Sequence, residues 1–337
     1  MPAKLARGGT MTDKTFTIAL ERLDRHAPFF MGTVDRPDGV SFNALEVGVG
    51  FEPGRRDGID RHGRMFRDRE FDICEQSLAS FIMSRARSDE FIATPVFPRR
   101  LFSQLCMFVN VDSGIEEPTD LIGRNVAVWS FQTTLCVLAK GDLKSQYGVP
   151  WEQVNWHIQH HEEIPWEGEG VSIQNIPDGK DAGEMLVSGE VDAMFHPQPP
   201  SAVMRNPDRV KRLFPDSRAE SIRHFETFGY CPIMHLLVFA HELVEREPWL
   251  PRAMIDIWED AKHKADEFYE DPGFSMLVFA RNEYEWQRDN MGADLFPNGL
   301  KANRANLEKF IGYVADQGLI ESPIPVESMF GASVLDT

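Results

Sequence analysis

Short β-rich runs separated by helical patterns constrain this chain more than any other feature. "FTIALE" (16–21), "VSFNALEV" (40–47), "FDIC" (71–74), "FIATPVF" (91–97) and "QLCMFVNV" (104–111) recur along the first third of the sequence. Between two of them lies "EQSLASFIMSRAR" (75–87), with apolar residues at helical spacing. Strands that alternate with helices hide their apolar faces against one another in layers. The pattern predicts an α/β sheet rather than a sandwich.

A second series follows the polar, turn-forming stretch "DSGIEEPTDLIG" (112–123). It holds "NVAVWS" (125–130), a helix from about Gln132 to Tyr147, "VNWHIQ" (154–159) and "VSIQNI" (171–176). A helix "DAGEMLVSG" (181–189) and a strand "VDAMFH" (191–196) complete it, and amphipathic helices follow at 248–271 and 303–318. Two series joined through "CMFVNV" and again through "CPIMHLLVF" predict two lobes linked by two crossings. The 337 residues, 42% of them hydrophobic, are enough for two cores. The expected lobes are 13–109 with 237–337, and 110–236. Residues 1–12 are expected to be a flexible leader, with Met11 an alternative start. Ligands of open α/β sheets bind beyond the carboxyl ends of the strands, often between lobes. Strand-end residues are therefore the candidates for chemistry.

Lys and Arg number 35 against 53 Asp and Glu, a net charge of −18. Such a surface repels nucleic acid and anionic lipid, which sets both aside as partners. A few cations in a cleft still suffice for a small anion. No stretch approaches the ~20 apolar residues of a membrane span, and the N-terminal segment lacks the apolar centre of a secretory signal. Cys74, Cys106, Cys136 and Cys231 are far apart with no C-x-x-C pair, as in a reducing compartment. A cytoplasmic location is expected. The motifs G-x-x-x-x-G-K-[ST], G-x-S-x-G, H-E-x-x-H and G-x-G-x-x-G are absent. That argues against a P-loop, a serine hydrolase, a zincin and a Rossmann dehydrogenase.

Several strand ends carry candidate residues. Gln132, Thr133 and Thr134 open a helix after "VAVWSF", where free N–H groups and the helix dipole would hold a carboxylate or phosphate. A plain Ser/Thr cap is the alternative. Glu75, Gln76 and Ser77 repeat the arrangement after "FDIC". Glu75 either favours the helix start electrostatically or acts in a cleft as a base. Arg99 and Arg100 end "TPVFPRR" and suit bidentate capture of a carboxylate. "WHIQHHEE" brings His157, His160 and His161 close enough to ligate a divalent metal, though its spacing matches no named zinc pattern. On a continuing strand His157 and His161 would share a face, with His160 opposite. His196 ends a strand before a proline-rich turn, and His235 interrupts the apolar run "GYCPIMHLLVF".

Six segments together resemble the ordered blocks of 4,5-dihydroxyphthalate decarboxylases. They are "FDICEQSLASFI", "FIATPVFPRRLF", "FVNVDSGIEEPTDLIGRNVAV", "FQTTL", "YGVPWEQVNW" and "FGYCPIMHLLVF". The resemblance implies the two-lobed type II periplasmic-binding-protein-like fold, with its ligand cleft between lobes. It places the family's acidic residue on Glu75, its serine on Ser77, its arginine on Arg100 and its "PIMH" histidine on His235. The family's glutamine and threonine fall on Gln132 and Thr134, and Arg99 is an extra cation. The chain departs from the family at Trp129, Ser130 and Phe131, where Pro-Glu-Tyr is usual. It departs again at His160 and His161, where a glycine pair is usual.

The activity so implied is non-oxidative decarboxylation of a hydroxylated aromatic (di)carboxylic acid such as 4,5-dihydroxyphthalate, part of aromatic compound degradation. In this scheme His235 donates the proton, with His196 as alternative acid, and Glu75 orients the phenol as base. Arg100, Arg99, Ser77, Gln132, Thr133 and Thr134 bind substrate. The scheme needs no cofactor, with a divalent metal as the variant carried by the "WHIQHHEE" histidines. The alternatives are a cytosolic protein that binds a small acid without catalysis, or a dehydratase-type lyase. The expected partner is a small aromatic carboxylate, and self-association into a homo-oligomer is left open.

Overall fold

The structure, a computed structural model, describes residues 14–50, 54–166, 168 and 170–337. The leader expected at 1–12 lies outside the described residues. The strands form two mixed sheets. The first holds β1 (Lys14–Leu20), β2 (Val40–Glu46), β3 (Ile73–Ser77), β4 (Phe91–Arg100) and β11 (Ile233–Ala240), ordered β2-β1-β3-β11-β4. The second holds β5 (Met107–Asn110), β6 (Asn125–Val128), β7 (Asn155–Ile158), β8 (Ile173–Asn175), β9 (Ala193–Phe195) and β10 (Val210–Arg212). Its order is β10-β5-β9-β6-β7-β8. The alternating pattern thus folds into the expected two-lobed α/β architecture.

The crossings fall a few residues from the expected boundaries. The chain leaves the first sheet after Arg100, so residues 107–109 pair in the second sheet rather than the first. It returns at Ile233, and Ile233–Leu236 belong to the first sheet. The reason is β11, which slots antiparallel between β3 and β4 along its whole length. An apolar strand buried on both faces gains most at a sheet centre, and here it carries His235 with it.

One boundary bears directly on the site. Glu75 and Gln76 were expected at a helix start, but β3 runs on to Ser77 and the helix is Leu78–Arg85. Only Ser77 caps it, accepting the Ser80 N–H at 3.4 Å. In the second lobe the long helix is Thr134–Tyr147, with Thr133 at its N-cap. All four cysteines are buried, unpaired thiols. Among the described residues no helix is long and apolar enough to cross a membrane.

The C-terminal helix Leu300–Asp316 reaches over to the second lobe. The Tyr313 hydroxyl pairs with Ser145 at 2.8 Å, Asp316 accepts from Trp151 at 2.8 Å, and Gln317 donates to the Val137 carbonyl at 2.8 Å. The Tyr313 ring lies flat against Gly141, where a Cβ would come within 2.2 Å of the ring. Glycine is required there by close approach, not by backbone conformation. Gly141→Ala is expected to lower stability by about 1–3 kcal/mol through overpacking, read as a reduced urea midpoint at unchanged slope.

Candidate active site

Three adjacent strands of the first sheet build the floor of the cleft. His235 on β11 lies opposite Ser77 on β3 and opposite Arg99 on β4. Directly opposed residues share a sheet face, and so does Glu75, two positions before Ser77. β4 reaches this register through an irregular stretch between Thr94 and Arg99. Pro95 and Pro98 in that stretch have no N–H to give the ladder, so the strand bulges and re-aims its end.

Glu75 is completely buried and holds several partners at once. Its Oε1 accepts from His235 Nδ1 at 2.5 Å, and its Oε2 accepts the Glu21 backbone N–H at 2.8 Å. The Arg61 guanidinium stands 3.6 Å from Oε2 and the His26 ring 3.9 Å. Arg61, also fully buried, donates through Nε to the Glu75 carbonyl at 2.8 Å and pairs with Glu21 at 3.2 Å. Burial alone would raise the Glu75 pKa. The Arg61 charge and the His235 hydrogen bond outweigh it and hold the carboxyl well below its usual range.

Burial pushes the His235 imidazole down to about 4, against the pull of Glu75. Around neutral pH the pair is therefore a carboxylate and a neutral ring. The carboxylate only accepts, so the ring proton sits on Nδ1 and the lone pair on Nε2. His235 lines the cleft, and Nε2 is the nitrogen left to face it. His62 stands edge-on to His235 with ring centres 5.3 Å apart. Burial, with Arg61 and His235 nearby, pushes its pKa well below the usual value.

The cleft encloses about 780 Å³, its mouth included. Val49, His62, Ser77, Ser80, Arg99 and His235 line the first-lobe side; Trp129, Ser130, Thr133, Thr134, His161 and Glu163 line the other. Two helix N-termini meet across it. The Thr134 hydroxyl pairs with Ser77 Oγ at 2.9 Å and accepts the Ala79 N–H at 3.1 Å. The Ala79 and Ser80 N–H groups of the first helix are thus already taken, by Thr134 and Ser77, so the positive potential of the cleft comes from Arg99 and the start of the Thr134–Tyr147 helix.

The expected site residues divide sharply. Ser77, Arg99, Thr133, Thr134 and His235 line the cleft. Glu75 does not line the cleft and is linked to it through His235. Arg100 points elsewhere, donating to the carbonyls of Cys231 and Pro297 at 2.9 Å each and to Asn303 at 2.5 Å. It ties the strand crossing to the C-terminal segment, which is incompatible with holding a substrate carboxylate. The Gln132 amide pairs with both backbone groups of Ile164, at 2.8 and 3.0 Å. The N–H groups of Phe131 and Gln132 are taken by Glu162, at 2.6 and 3.1 Å, so the chain's own carboxylate fills that anion position.

The remaining histidines also separate. His196 Nδ1 lies 2.5 Å from the Gln198 carbonyl, and the cleft wall there comes from Phe195 and Pro197 instead. β7 ends at Ile158, so the alternation does not extend to His160 and His161. His157 meets Asn125 at 3.2 Å, and His160 stacks on Trp129 with ring centres 3.5 Å apart. Among the described residues no group of His, Cys, Asp and Glu is placed to hold a metal ion. Arg61, His62 and Glu163 were not singled out as site residues. No motif marks them, and only their places in space reveal them, His62 and Glu163 in the cleft lining and Arg61 beside the buried Glu75.

No protein-family model matches the chain. A 4,5-dihydroxyphthalate decarboxylase from Comamonas testosteroni is 31% identical over 340 residues, covering 97% of this chain and 99% of that protein. The chain belongs to the 4,5-dihydroxyphthalate decarboxylase family. A second protein of that name, from Pseudomonas putida, is 30% identical over 178 residues, 50% of this chain and 68% of its own. The fold is shared with the periplasmic aliphatic sulphonate binding protein SsuA from Escherichia coli. That structure matches with a TM-score of 0.57 at 11% identity, covering 96% of this chain and 99% of its own. Trp129 and His160, where the resemblance suggested departures from the family's pattern, meet in space with their rings stacked.

The buried rings make this family member acid-sensitive. His26 and His235 both lie near 4 when folded, against 6.5 ordinarily, so the unfolded chain takes up their protons first. Stability is lost as pH falls from about 6.5 through 4, by up to about 3 kcal/mol per ring. Asp142 and Glu163, raised mainly by burial to about 6 and about 7, work in the opposite direction as each takes up its proton, and offset part of this loss. Urea midpoints measured between pH 7 and 4 should decline, and His235→Asn should make the decline shallower.

Proposed function

We propose that this chain decarboxylates a hydroxylated aromatic dicarboxylic acid without oxidation, with 4,5-dihydroxyphthalate as the first substrate to test. The observation that carries this reading is the dry Glu75–His235 pair opening onto a cleft that holds Arg99 and the start of the Thr134–Tyr147 helix. Direct loss of CO2 from an aromatic ring would leave an aryl carbanion. Protonating the carboxylated carbon first avoids it, and a phenolate at the para position supplies the electrons. The site must then hold carboxylates, remove a phenol proton and deliver a proton to carbon.

Each requirement has a group. Arg99 and the Thr133–Thr134 helix start hold carboxylates. His235 Nε2, kept as a lone pair by Glu75, accepts the phenol proton. This exchanges the donor role expected for His235 for that of a base, because the free imidazole is neutral around pH 7. The route uses protein groups alone. A protein that only bound a small acid would need the carboxylate holders but not an oriented Glu–His pair, which supports the enzyme reading.

Purified protein supplied with 4,5-dihydroxyphthalate should release one CO2 per molecule consumed. His235→Ala should lower kcat by about 10²–10⁴-fold, the usual scale of general acid–base catalysis. Arg99→Met should chiefly raise KM, by about 10–100-fold for a lost charged hydrogen bond. Tight binding with the acid recovered unchanged would overturn the proposal.

A further inference from the structure

We propose that Glu163 is the acid that protonates the substrate's carboxylated ring carbon, working from the wall opposite His235; this rests on the decarboxylase reading above. The chemistry needs two proton-exchanging groups, because the phenol oxygen and the carboxylated carbon para to it lie at opposite ends of the ring. One imidazole does not reach both. Glu75 is sealed beneath His235 and touches neither. His62 stands beside His235 on the same wall, and His161 is exposed at the mouth. Glu163 is half-buried, lines the cleft from the second lobe, and makes no hydrogen bond to a described residue.

Its placement is rigid even though its carboxyl is unengaged. Glu162 is anchored by the Phe131 and Gln132 N–H groups, and Ile164 by both ends of the Gln132 amide. Glu163 is the one residue between these two anchors, so the backbone that carries it is fixed to the start of the Thr134–Tyr147 helix. The charges that act on it most are Asp60 and Arg67 from the first lobe and Glu162 beside it, and His62, Arg99, His161 and His235 line the same cleft. Burial, with Asp60 and Glu162, raises its pKa to about 7 against the opposing Arg67 charge. A substantial fraction is thus protonated at neutral pH, as a carbon acid's donor requires.

The step balances within these groups. The phenol O–H gives its proton to His235 Nε2, and the ring carbon para to it takes the Glu163 carboxyl proton. The C–C bond to the carboxylate then breaks, its electron pair restores the aromatic ring, and CO2 leaves. The phenolate recovers its proton from His235, and solvent at the cleft mouth reprotonates Glu163. One proton is consumed per CO2 released.

Two measurements on the full chain test this. With 4,5-dihydroxyphthalate, Glu163→Gln should lower kcat at least about 10²-fold with little change in KM. Glu163→Asp should restore part of the loss. The fall in wild-type kcat above about pH 7 should vanish from the residual Glu163→Gln activity. Unchanged kcat and an unchanged alkaline limb would overturn the proposal. The second measurement is independent of turnover and uses phthalate, which lacks the hydroxyl the reaction needs. Its two carboxylates should drive proton uptake near pH 7 in the wild type, seen calorimetrically as a buffer-dependent heat, and less in Glu163→Gln. Equal uptake in both would place Glu163 out of reach of the bound acid and overturn the proposal. Absent CO2 release with normal phthalate-linked uptake would instead overturn the decarboxylase reading, and the donor role with it.

Discussion

A single buried carboxylate organises the first lobe. Glu75 has no exposed surface, and an ionised carboxylate in that position is tolerable only if its charge and lone pairs are met. The groups that meet them come from different parts of the chain: the backbone of Glu21 just beyond β1, His235 on β11 and Arg61 on the short helix Arg61–Phe66. Arg61 also reaches the Val47 carbonyl at 2.5 Å, past the end of β2. Strand order in the sheet and position of the helix are therefore coupled through one charge. Removing any one partner strands the others in a dry environment, which costs far more than the net worth of the pair.

The same constraint dictates what His235 does. A carboxylate that only accepts hydrogen bonds settles the tautomer, and a dry surrounding keeps the ring neutral. The ring that lines the cleft thus presents a lone pair of fixed orientation. In the proposed reaction Glu75 positions that ring and does not touch substrate. The second lobe reaches the same end by other means. There the anchored carboxylate is Glu162, whose task is to satisfy N–H groups before a helix, while the free carboxyl beside it faces the cleft. Each wall pairs one sequestered acid with one titratable group that lines the cleft.

The layered α/β architecture and the second crossing through His235 were legible in the sequence because both depend on local pattern. Apolar β-rich runs separated by helical periodicity leave few alternatives, and β11 falls where the run "CPIMHLLVF" places it. The pairing of Glu75 with His235 was not legible from the residues, since they stand 160 positions apart and meet only through strand register. Arg99 and Arg100 were not separable by pattern, and the family resemblance favoured Arg100, which turns away from the cleft. Their opposite fates follow from the irregular pairing around two prolines, which one-dimensional periodicity does not carry. Glu163 was obscured for a different reason. The stretch "HHEEIPWEGEG" has the composition of an exposed loop, and what pins its start is the remote Gln132 side chain.

Dividing the site between lobes has a mechanistic consequence. His235 and Arg99 belong to the first sheet, while Thr134 and Glu163 belong to the second lobe. In the proposed reaction neither half alone would both hold a carboxylate and bracket a ring between two proton-exchanging groups. The Ser77–Thr134 contact at 2.9 Å spans the cleft, so the two halves are complete only when the helix starts stand face to face. In the proposed reaction a cleft between two lobes suits what protonation at carbon demands. The weakly basic ring carbon must compete with water for the acid's proton, and enclosure removes that competitor while strengthening every fixed charge around the ring. Binding the anion and bracketing the ring would then draw on the same two walls.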